Sequence, residues 1–204
     1  MYLFLITILT LLVLAGNFLG RKKNLSIVKS VGNTLEEVLK PNDQDYTWLG
    51  GSIGFHANYK CKDFKNVEAT LTLLPRQSPL YYPVSFLVSG FDKLYVTFFL
   101  KLKIKSEGHI VNKRYFKFRG PRVDNLQKLL EEEQEGFLIL SQNQRIRGAL
   151  LKFFKELDRG GFLEIIKHIA IVPDRNTVFV LCVPKKDLWM GVVKQISDFA
   201  KVRK

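Results

Sequence analysis

The feature that most constrains this chain is an apolar run at its N-terminus. From Tyr2 to Leu19 there are eighteen consecutive residues without a charged side chain, most of them Leu, Ile, Val and Phe. A helix of that length spans roughly 27 Å, just enough to cross the hydrocarbon core of a bilayer. We therefore expect residues 1–20 to form a single transmembrane anchor.

A cleaved signal peptide is the alternative for this segment. Such peptides usually carry positive residues before the apolar run and a small-residue cleavage site after it. Here no Lys or Arg precedes the run, and the cluster Arg21, Lys22 and Lys23 follows it. Because positive residues stay on the cytoplasmic side, this order favours an uncleaved anchor with its N-terminus outside. The expected location is the ER membrane in a eukaryote or the plasma membrane in a prokaryote.

The rest of the chain, residues 21–204, is strongly basic. The 204 residues carry a formal net charge of +13, which favours a polyanionic neighbour, either nucleic acid or an anionic lipid surface. The two cysteines, Cys61 and Cys182, show no metal-binding spacing and no CxxC pair, so free thiols in a cytoplasmic body are expected.

Apolar periodicity in this body predicts one cytosolic α+β domain, with antiparallel β-hairpins packed with helices. Helices are predicted over 24–39, 122–136, 144–159 and 184–204. Strands are predicted over 52–61, 66–73, 137–140, 165–172 and 176–183, and 41–45 is predicted to be a loop. A three-residue connection should pair Tyr59 with Val67 and Phe55 with Leu71, which puts the apolar residues of both strands on one face. The proline-rich stretch 74–91 is interpreted as a short apolar excursion or a crossover.

Residues 94–119 predict a further hairpin with an unusual charge. A loop over 106–108 would set Lys101 opposite Lys113 and Lys105 opposite His109. Like charges across a sheet repel, so the face either protects a sheet edge from aggregation or binds phosphates of RNA or lipid. Together with the basic cluster after the apolar run and the basic C-terminus, it defines the predicted polyanion-binding set: Arg21, Lys22, Lys23, Lys101, Lys103, Lys105, Lys113, Lys117, Arg119, Lys201, Arg203 and Lys204.

Catalytic patterns are not found in the sequence. His56, His109 and His168 fall on separate predicted strands, and HExxH, GxSxG and P-loop motifs do not occur. We therefore expect no enzymatic activity, no cofactor, no metal and no small-molecule substrate.

Three stretches carry a resemblance to a known family: NLSIVKSVGNTLEEVLK after the apolar run, residues 69–101 around Arg76-Gln77, and NTVFVLCVPKKDL with ISDFAKVRK near the C-terminus. The layout of anchor, short helix and α+β domain resembles the calumin family, the coiled-coil-containing subunits of the PAT complex, an intramembrane chaperone at the ER translocon. The sequence departs from that family in lacking the acidic lumenal region and the C-terminal coiled coil.

The resemblance implies a non-enzymatic, membrane-anchored factor that assists membrane-protein insertion and folding at the ribosome and translocon. Its expected partners are membrane lipids, ribosomal RNA, translocon subunits and client membrane proteins. The alternative, which needs only the charge, is a peripheral scaffold protein that binds anionic lipid headgroups.

Overall fold

The computed structural model describes residues 2–120, 123, 126–185 and 188–202. In this part of the chain the helices are α1 Tyr2–Leu39, α2 Tyr82–Ser89, α3 Lys113–Arg119, α4 Gln144–Arg159 and α5 Leu188–Val202. The strands are β1 Asp43–Trp48, β2 Gly54–Lys60, β3 Asn66–Thr72, β4 Lys93–Phe99, β5 Gly108–Asn112, β6 Leu130–Gln134, β7 Phe137–Ser141, β8 Ile166–Val172 and β9 Thr177–Cys182. A 3-10 turn, Leu126–Lys128, precedes β6.

All nine strands belong to one sheet in the order β1-β2-β3-β4-β9-β8-β5-β7-β6, and every neighbouring pair is antiparallel. The C-terminal half of α1, together with α4 and α5, covers one face of the sheet, and α1 contacts both α5 and β2. The main core lies between this helical layer and the sheet. On the opposite face α3 covers a second, smaller cluster formed by Val111, Leu138 and Leu140. The fold is therefore the predicted α+β class.

Helix α1 joins the apolar run and the predicted helix 24–39 into one continuous element of 38 residues. Its apolar N-terminal half is exposed, whereas Val28, Val31 and Leu35 in its C-terminal half are buried in the core. By length and composition α1 is the one described helix that could span a membrane. A helix of this length is roughly 57 Å long, so a candidate span continues directly into the domain.

Several predicted elements are confirmed. Strands β2 and β3 pair with Tyr59 opposite Val67 and Phe55 opposite Leu71. The predicted helix over 144–159 is α4, which is followed by Gly160. The predicted strands over 165–172 and 176–183 are β8 and β9, which pair as a hairpin. The predicted helix over 184–204 is confirmed where the structure describes it, as α5, in which Val192 and Ile196 are fully buried.

The predicted hairpin over 94–119 is wrong. Strand β4 pairs with β3 and β9, and β5 pairs with β7 and β8, so two strands separate them. The apolar side chains of β4 gain apolar neighbours on both sides in this order, and the lysine–lysine repulsion of the predicted register is avoided. After Asn112 the chain turns helical, because the Asn112 side chain accepts a hydrogen bond from the backbone N–H of Tyr115 and caps α3.

The predicted helix over 122–136 is also wrong where the structure describes it. Residues 130–134 form β6, an edge strand whose acidic side chains meet cations: Glu132 pairs with Arg147 and Glu133 with Lys113. A charged edge strand is a common protection against aggregation. Strand β1, which the polar loop prediction over 41–45 missed, lies at the other edge.

The registers define two ends of the sheet. At the proximal end β4 begins at Lys93 and β5 finishes at Asn112. At the distal end β4 finishes at Phe99 and β5 begins at Gly108. The connections that contain α2 and α3 lie at the proximal end, and α1 enters the domain there.

Candidate membrane-facing site

Small residues on α1 allow the loop before α2 to approach the helix closely. A Cβ atom on Gly20 would lie 1.9 Å from the carbonyl oxygen of Arg76, and one on Gly16 would lie 2.7 Å from the Pro79 ring. The Asn17 side chain donates a hydrogen bond of 2.6 Å to the backbone carbonyl of Gln77. Residues 76–79 are therefore packed on the C-terminal end of the apolar run.

An ion pair holds this loop in place. The Arg76 guanidinium donates two hydrogen bonds to the Asp92 carboxylate, at 2.9 and 2.8 Å, and a third to the Asn24 side-chain oxygen at 3.0 Å. Asn24, which is fully buried, donates to the Leu74 carbonyl at 2.9 Å, and the Leu74 N–H donates to Asp92 at 2.8 Å. These groups, which we call the buckle, tie both flanks of α2 to α1.

Helix α2 lies between Arg76 and Asp92 of the buckle in the chain. Its polarity is inverted, because it buries a polar side chain and exposes apolar ones. Its buried residue is Ser85, which is 8% exposed. Its apolar side chains face outward, with Val84 52%, Phe86 50% and Val88 71% exposed, and Leu80 and Tyr81 just before it are 74% and 58% exposed. In water such a helix would bury its apolar side instead, so its surroundings are better matched by hydrocarbon.

The position of α2 along α1 agrees with this. Pro79 touches α1 at Gly16, three residues before the apolar run finishes at Leu19. At 1.5 Å per residue this contact lies roughly 5 Å inside the run, which is the depth at which interfacial helices bury their apolar faces. The two tyrosines at the start of α2, Tyr81 and Tyr82, are residues enriched at membrane interfaces.

The predicted polyanion-binding residues are divided between the two ends. Arg21, Lys22 and Lys23 are exposed on α1 immediately after the apolar run. Two of the predicted hairpin lysines, Lys113 and Lys117, lie on α3 at the proximal end. The other three, Lys101, Lys103 and Lys105, lie in the exposed segment after β4 at the distal end. The structure does not bring these two groups into one surface.

The remaining predicted residues are near the C-terminus and on α3. Lys201 forms ion pairs with Asp63 at 3.0 Å and with Asp198 at 3.8 Å, so its charge is already neutralised locally. Arg119 closes α3, but its side chain lies outside the described part of the structure, as do Arg203 and Lys204.

Sequence reasoning missed a buried pair of histidines. Topology places β5 beside β8, which brings His109 Nδ1 to 3.2 Å from His168 Nε2 with the rings stacked. Glu107 lies 2.9 Å from His109 Nε2. A carboxylate can only accept, so His109 carries its proton on Nε2 and accepts from His168 through Nδ1.

Both histidines are 5% exposed. Burial lowers the pKa of His168 to about 3, with the neighbouring His109 adding to the effect. Burial also lowers the pKa of His109, although the hydrogen bond to Glu107 opposes this shift. The pair is thus a neutral hydrogen-bonded chain at neutral pH. The described residues contain no group of three or more His, Cys, Asp or Glu side chains that could hold a metal ion.

Comparisons with known proteins add no functional identity. No protein-family model matches the chain, and no curated protein matches it significantly. A solved structure, the mycobacterial trehalose monomycolate transport factor A (TtfA), aligns over 90% of this chain and 94% of its own, with 9% sequence identity and a TM-score of 0.39.

Proposed function

We propose that this chain is a non-catalytic membrane protein whose domain is held on an anionic lipid surface at two points. In this proposal α1 crosses the bilayer and α2 lies in the interface beside it. The observation that carries the proposal is the inverted polarity of α2 at the level of the apolar run.

The energetic argument is the hydrophobic effect. Leaving water is worth about 1.5–3 kcal/mol for a Val or Phe side chain that becomes fully buried. Val84, Phe86 and Val88 are all at least half exposed, so a bilayer around α2 would recover a substantial part of that free energy. Because the buckle fixes α2 against α1, the second contact costs little additional ordering.

The proposed orientation follows from the charges. Arg21, Lys22 and Lys23 are exposed on the domain side of the apolar run. Polybasic segments beside a span gain about 1 kcal/mol per charge from anionic cytoplasmic lipids. This supports a cytoplasmic domain and an N-terminus on the other side.

A spin label tests this proposal in full-length protein reconstituted into bilayers. The label is placed at Val84→Cys on α2 or at Lys155→Cys, an exposed control position on α4, in a Cys61→Ser background, since Cys182 is fully buried. The expected result is a Val84 label accessible to oxygen and shielded from a water-soluble nickel complex, while the Lys155 label shows the reverse. A Val84 label as water-accessible as the Lys155 label would refute the proposal.

Assistance of membrane-protein insertion at the ribosome and translocon is the second candidate. Its support is the same apolar α2, because an apolar helix beside a candidate span could also contact the apolar segment of a client. Sedimentation of ribosomes from mild detergent at low and high salt tests it. Steep loss of co-sedimentation with salt would support phosphate contacts, and absence from the ribosome fraction at low salt would reject this candidate.

A further inference from the structure

A pocket lies between α3, the start of β4 and the start of β8. Its volume is about 290 Å³, and its described lining consists of Phe91, Asn112, Arg114, Tyr115, Phe118 and Lys167. This lining combines two cations, three aromatic rings and one amide, without an acidic residue. We call it the Phe91 pocket.

The positive charges in and beside the Phe91 pocket converge on one ring. Lys167 Nζ lies 5.5 Å from the centre of the Phe91 ring, and Lys93 Nζ lies 5.9 Å from it. Cation–π contacts attract each ammonium group to the ring, but the two groups repel each other. An anion bound beside Lys167 in the pocket would relieve that repulsion.

The cations of the pocket have no carboxylate bound to them within the described structure. Arg114, Lys93 and Lys167 form no ion pair with a described acidic residue. Glu164, which is near Lys167 in sequence, pairs with Lys185 instead. Burial lowers the pKa of Lys167, although the charge of Glu164 opposes the shift. A half-buried ammonium group without a bound carboxylate is a ready partner for a phosphate.

Hydrogen-bond capacity is also left over. The Asn112 side-chain oxygen accepts from Tyr115 N–H at 3.0 Å, and its amide NH₂ has no acceptor among the described residues. The Tyr115 ring packs on Phe91 with 6.2 Å between ring centres. The pocket therefore offers donors at its polar side and rings at its apolar side, which suits an amphiphile.

Two other pockets lack this combination. The one on the other side of Arg114, of about 440 Å³, includes Glu135, and its Lys113 is paired with Glu133. A pocket of about 670 Å³ between α4 and α5 is lined by both acids and bases, including Glu156, Asp198 and Arg159. The charges of the second pocket are balanced from within the protein, and in the first pocket carboxylates offset part of the positive charge.

The Phe91 pocket is adjacent to α2. Gly90, with φ of 79°, stops the helix, and Phe91 follows at once, three residues after the exposed Val88. Three residues of chain reach at most about 11 Å. Phe118, on the pocket's rim, is itself 73% exposed. If α2 lies in the interface, the mouth of the pocket is at headgroup level.

We infer that the Phe91 pocket binds the phosphate group of an anionic amphiphile, with Arg114 and Lys167 contacting the phosphate and Phe91 and Phe118 contacting the apolar part. This inference rests on the proposed function for its lipid source, because a phospholipid reaches the pocket only if α2 is in the membrane. A soluble phosphate compound is the other source of the same chemistry.

Native mass spectrometry of the full chain in mild detergent tests the inference. The ligands are phosphatidylglycerol, phosphatidylcholine and inorganic phosphate, and the test variant is R114Q/K167Q. The control is K62Q/K65Q, which removes the same charge from two exposed lysines between β2 and β3 at the distal end. We expect phosphatidylglycerol to bind in preference to phosphatidylcholine, and R114Q/K167Q to weaken phosphatidylglycerol binding at least tenfold while K62Q/K65Q changes it less than twofold.

The outcomes separate the two proposals. Equal weakening by both variants would overturn the pocket and leave only general charge attraction, whatever the label at Val84 reports. If only R114Q/K167Q loses phosphatidylglycerol binding, and inorganic phosphate binds the wild type as tightly as the lipid does, the phosphate site stands and its ligand is a soluble phosphate compound. Selective loss with the lipid alone, together with a shielded Val84 label, supports both proposals.

Discussion

Helices α2 and α4 belong to the same chain but follow opposite rules. Helix α4 buries Ile146, Leu150, Phe153, Phe154 and Leu157 and exposes its charges. Helix α2 buries a serine and exposes Val84, Phe86 and Val88. The first is the pattern of a helix between a core and water. The second pattern would leave apolar side chains in contact with water. It occurs beside the exposed apolar run of α1.

The difference teaches that exposure has to be judged against the local solvent. Scattered apolar side chains on a protein surface are ordinary, but a contiguous patch is informative. Leu80, Tyr81, Val84, Phe86 and Val88 form such a patch over nine residues. The patch continues into the apolar run of α1 through the Gly16–Pro79 contact. Both elements therefore call for one explanation.

The largest effect that tests this comparison is a pair of identical truncations. Leu157 on α4 is fully buried, and Leu80 just before α2 is 74% exposed. Leu157→Ala should lower the free energy of unfolding by about 4 kcal/mol, because it leaves a cavity in the core. Leu80→Ala should change it by less than about 0.5 kcal/mol, since few protein contacts are lost.

Urea denaturation of the full chain in mild detergent measures both changes. Similar losses for the two variants would contradict the comparison, because they would mean that Leu80 is packed in protein and that the patch is part of the core.

The next effect concerns the buckle that holds α2 in its inverted position. The side chains of Arg76 and Asp92 are 16% and 12% exposed. Arg76→Ala would leave Asp92 as a nearly buried charge without its partner and should cost about 3 kcal/mol. Replacing both residues, as Arg76→Met with Asp92→Leu, should cost less, because no charge is left unpaired.

Hydrogen exchange gives the local readout for these variants. Arg76→Ala should increase exchange in residues 82–89 more than in α4, since the loop on α1 is released. Unchanged exchange in α2 would show that the buckle does not position it.

Local periodicity predicted the elements whose partners are near in sequence. The β2–β3 register, the β8–β9 hairpin and the buried face of α4 follow from alternation or helical spacing over short stretches. In each case the apolar face is specified by residues a few positions apart, so neighbouring sequence contains the necessary information.

Long-range pairing decided the elements that were missed. Residues 94–119 alternate well enough to suggest a hairpin, but β9 and β8 lie between β4 and β5 in the sheet. The cap at Asn112 was the local signal that the chain turns into α3. The acidic run 131–135 was predicted to be part of a helix. Its partners in the folded protein, Arg147 and Lys113, are distant in sequence, so no local pattern indicated an edge strand.

The candidate site was predicted only at the apolar run and the basic cluster after it. Helix α2 was recognised as an apolar excursion, but its inversion depends on where Ser85 points, which sequence does not reveal. The meeting of His109 and His168 likewise depends on the pairing of β5 with β8. Arg114, Phe91 and Lys167 come from three separate segments, and no spacing rule joins them.

The smallest of the three effects concerns the histidine pair. Like Ser85 of α2, these side chains are polar and buried, whereas α4 buries only apolar side chains. His168 has a pKa of about 3 when folded and 6.5 as its ordinary value. Below pH 6.5 the unfolded chain therefore binds a proton that the folded chain does not, and stability falls as the pH decreases. Between pH 7 and pH 5 the loss from this group should be about 2 kcal/mol.

His168→Gln isolates this contribution, because an amide can still donate to His109 Nδ1 but does not titrate. Unfolding free energies of the full chain and the variant are compared at pH 7 and pH 5. The wild type should lose about 2 kcal/mol more than the variant over this interval, since carboxylates elsewhere affect both proteins equally. Equal losses would mean that the folded protein protonates His168 as readily as the unfolded chain does. The sheet would then tolerate a buried charge, whereas α4 buries only apolar side chains. Ser85 of α2 would remain as the buried polar group that needs another explanation.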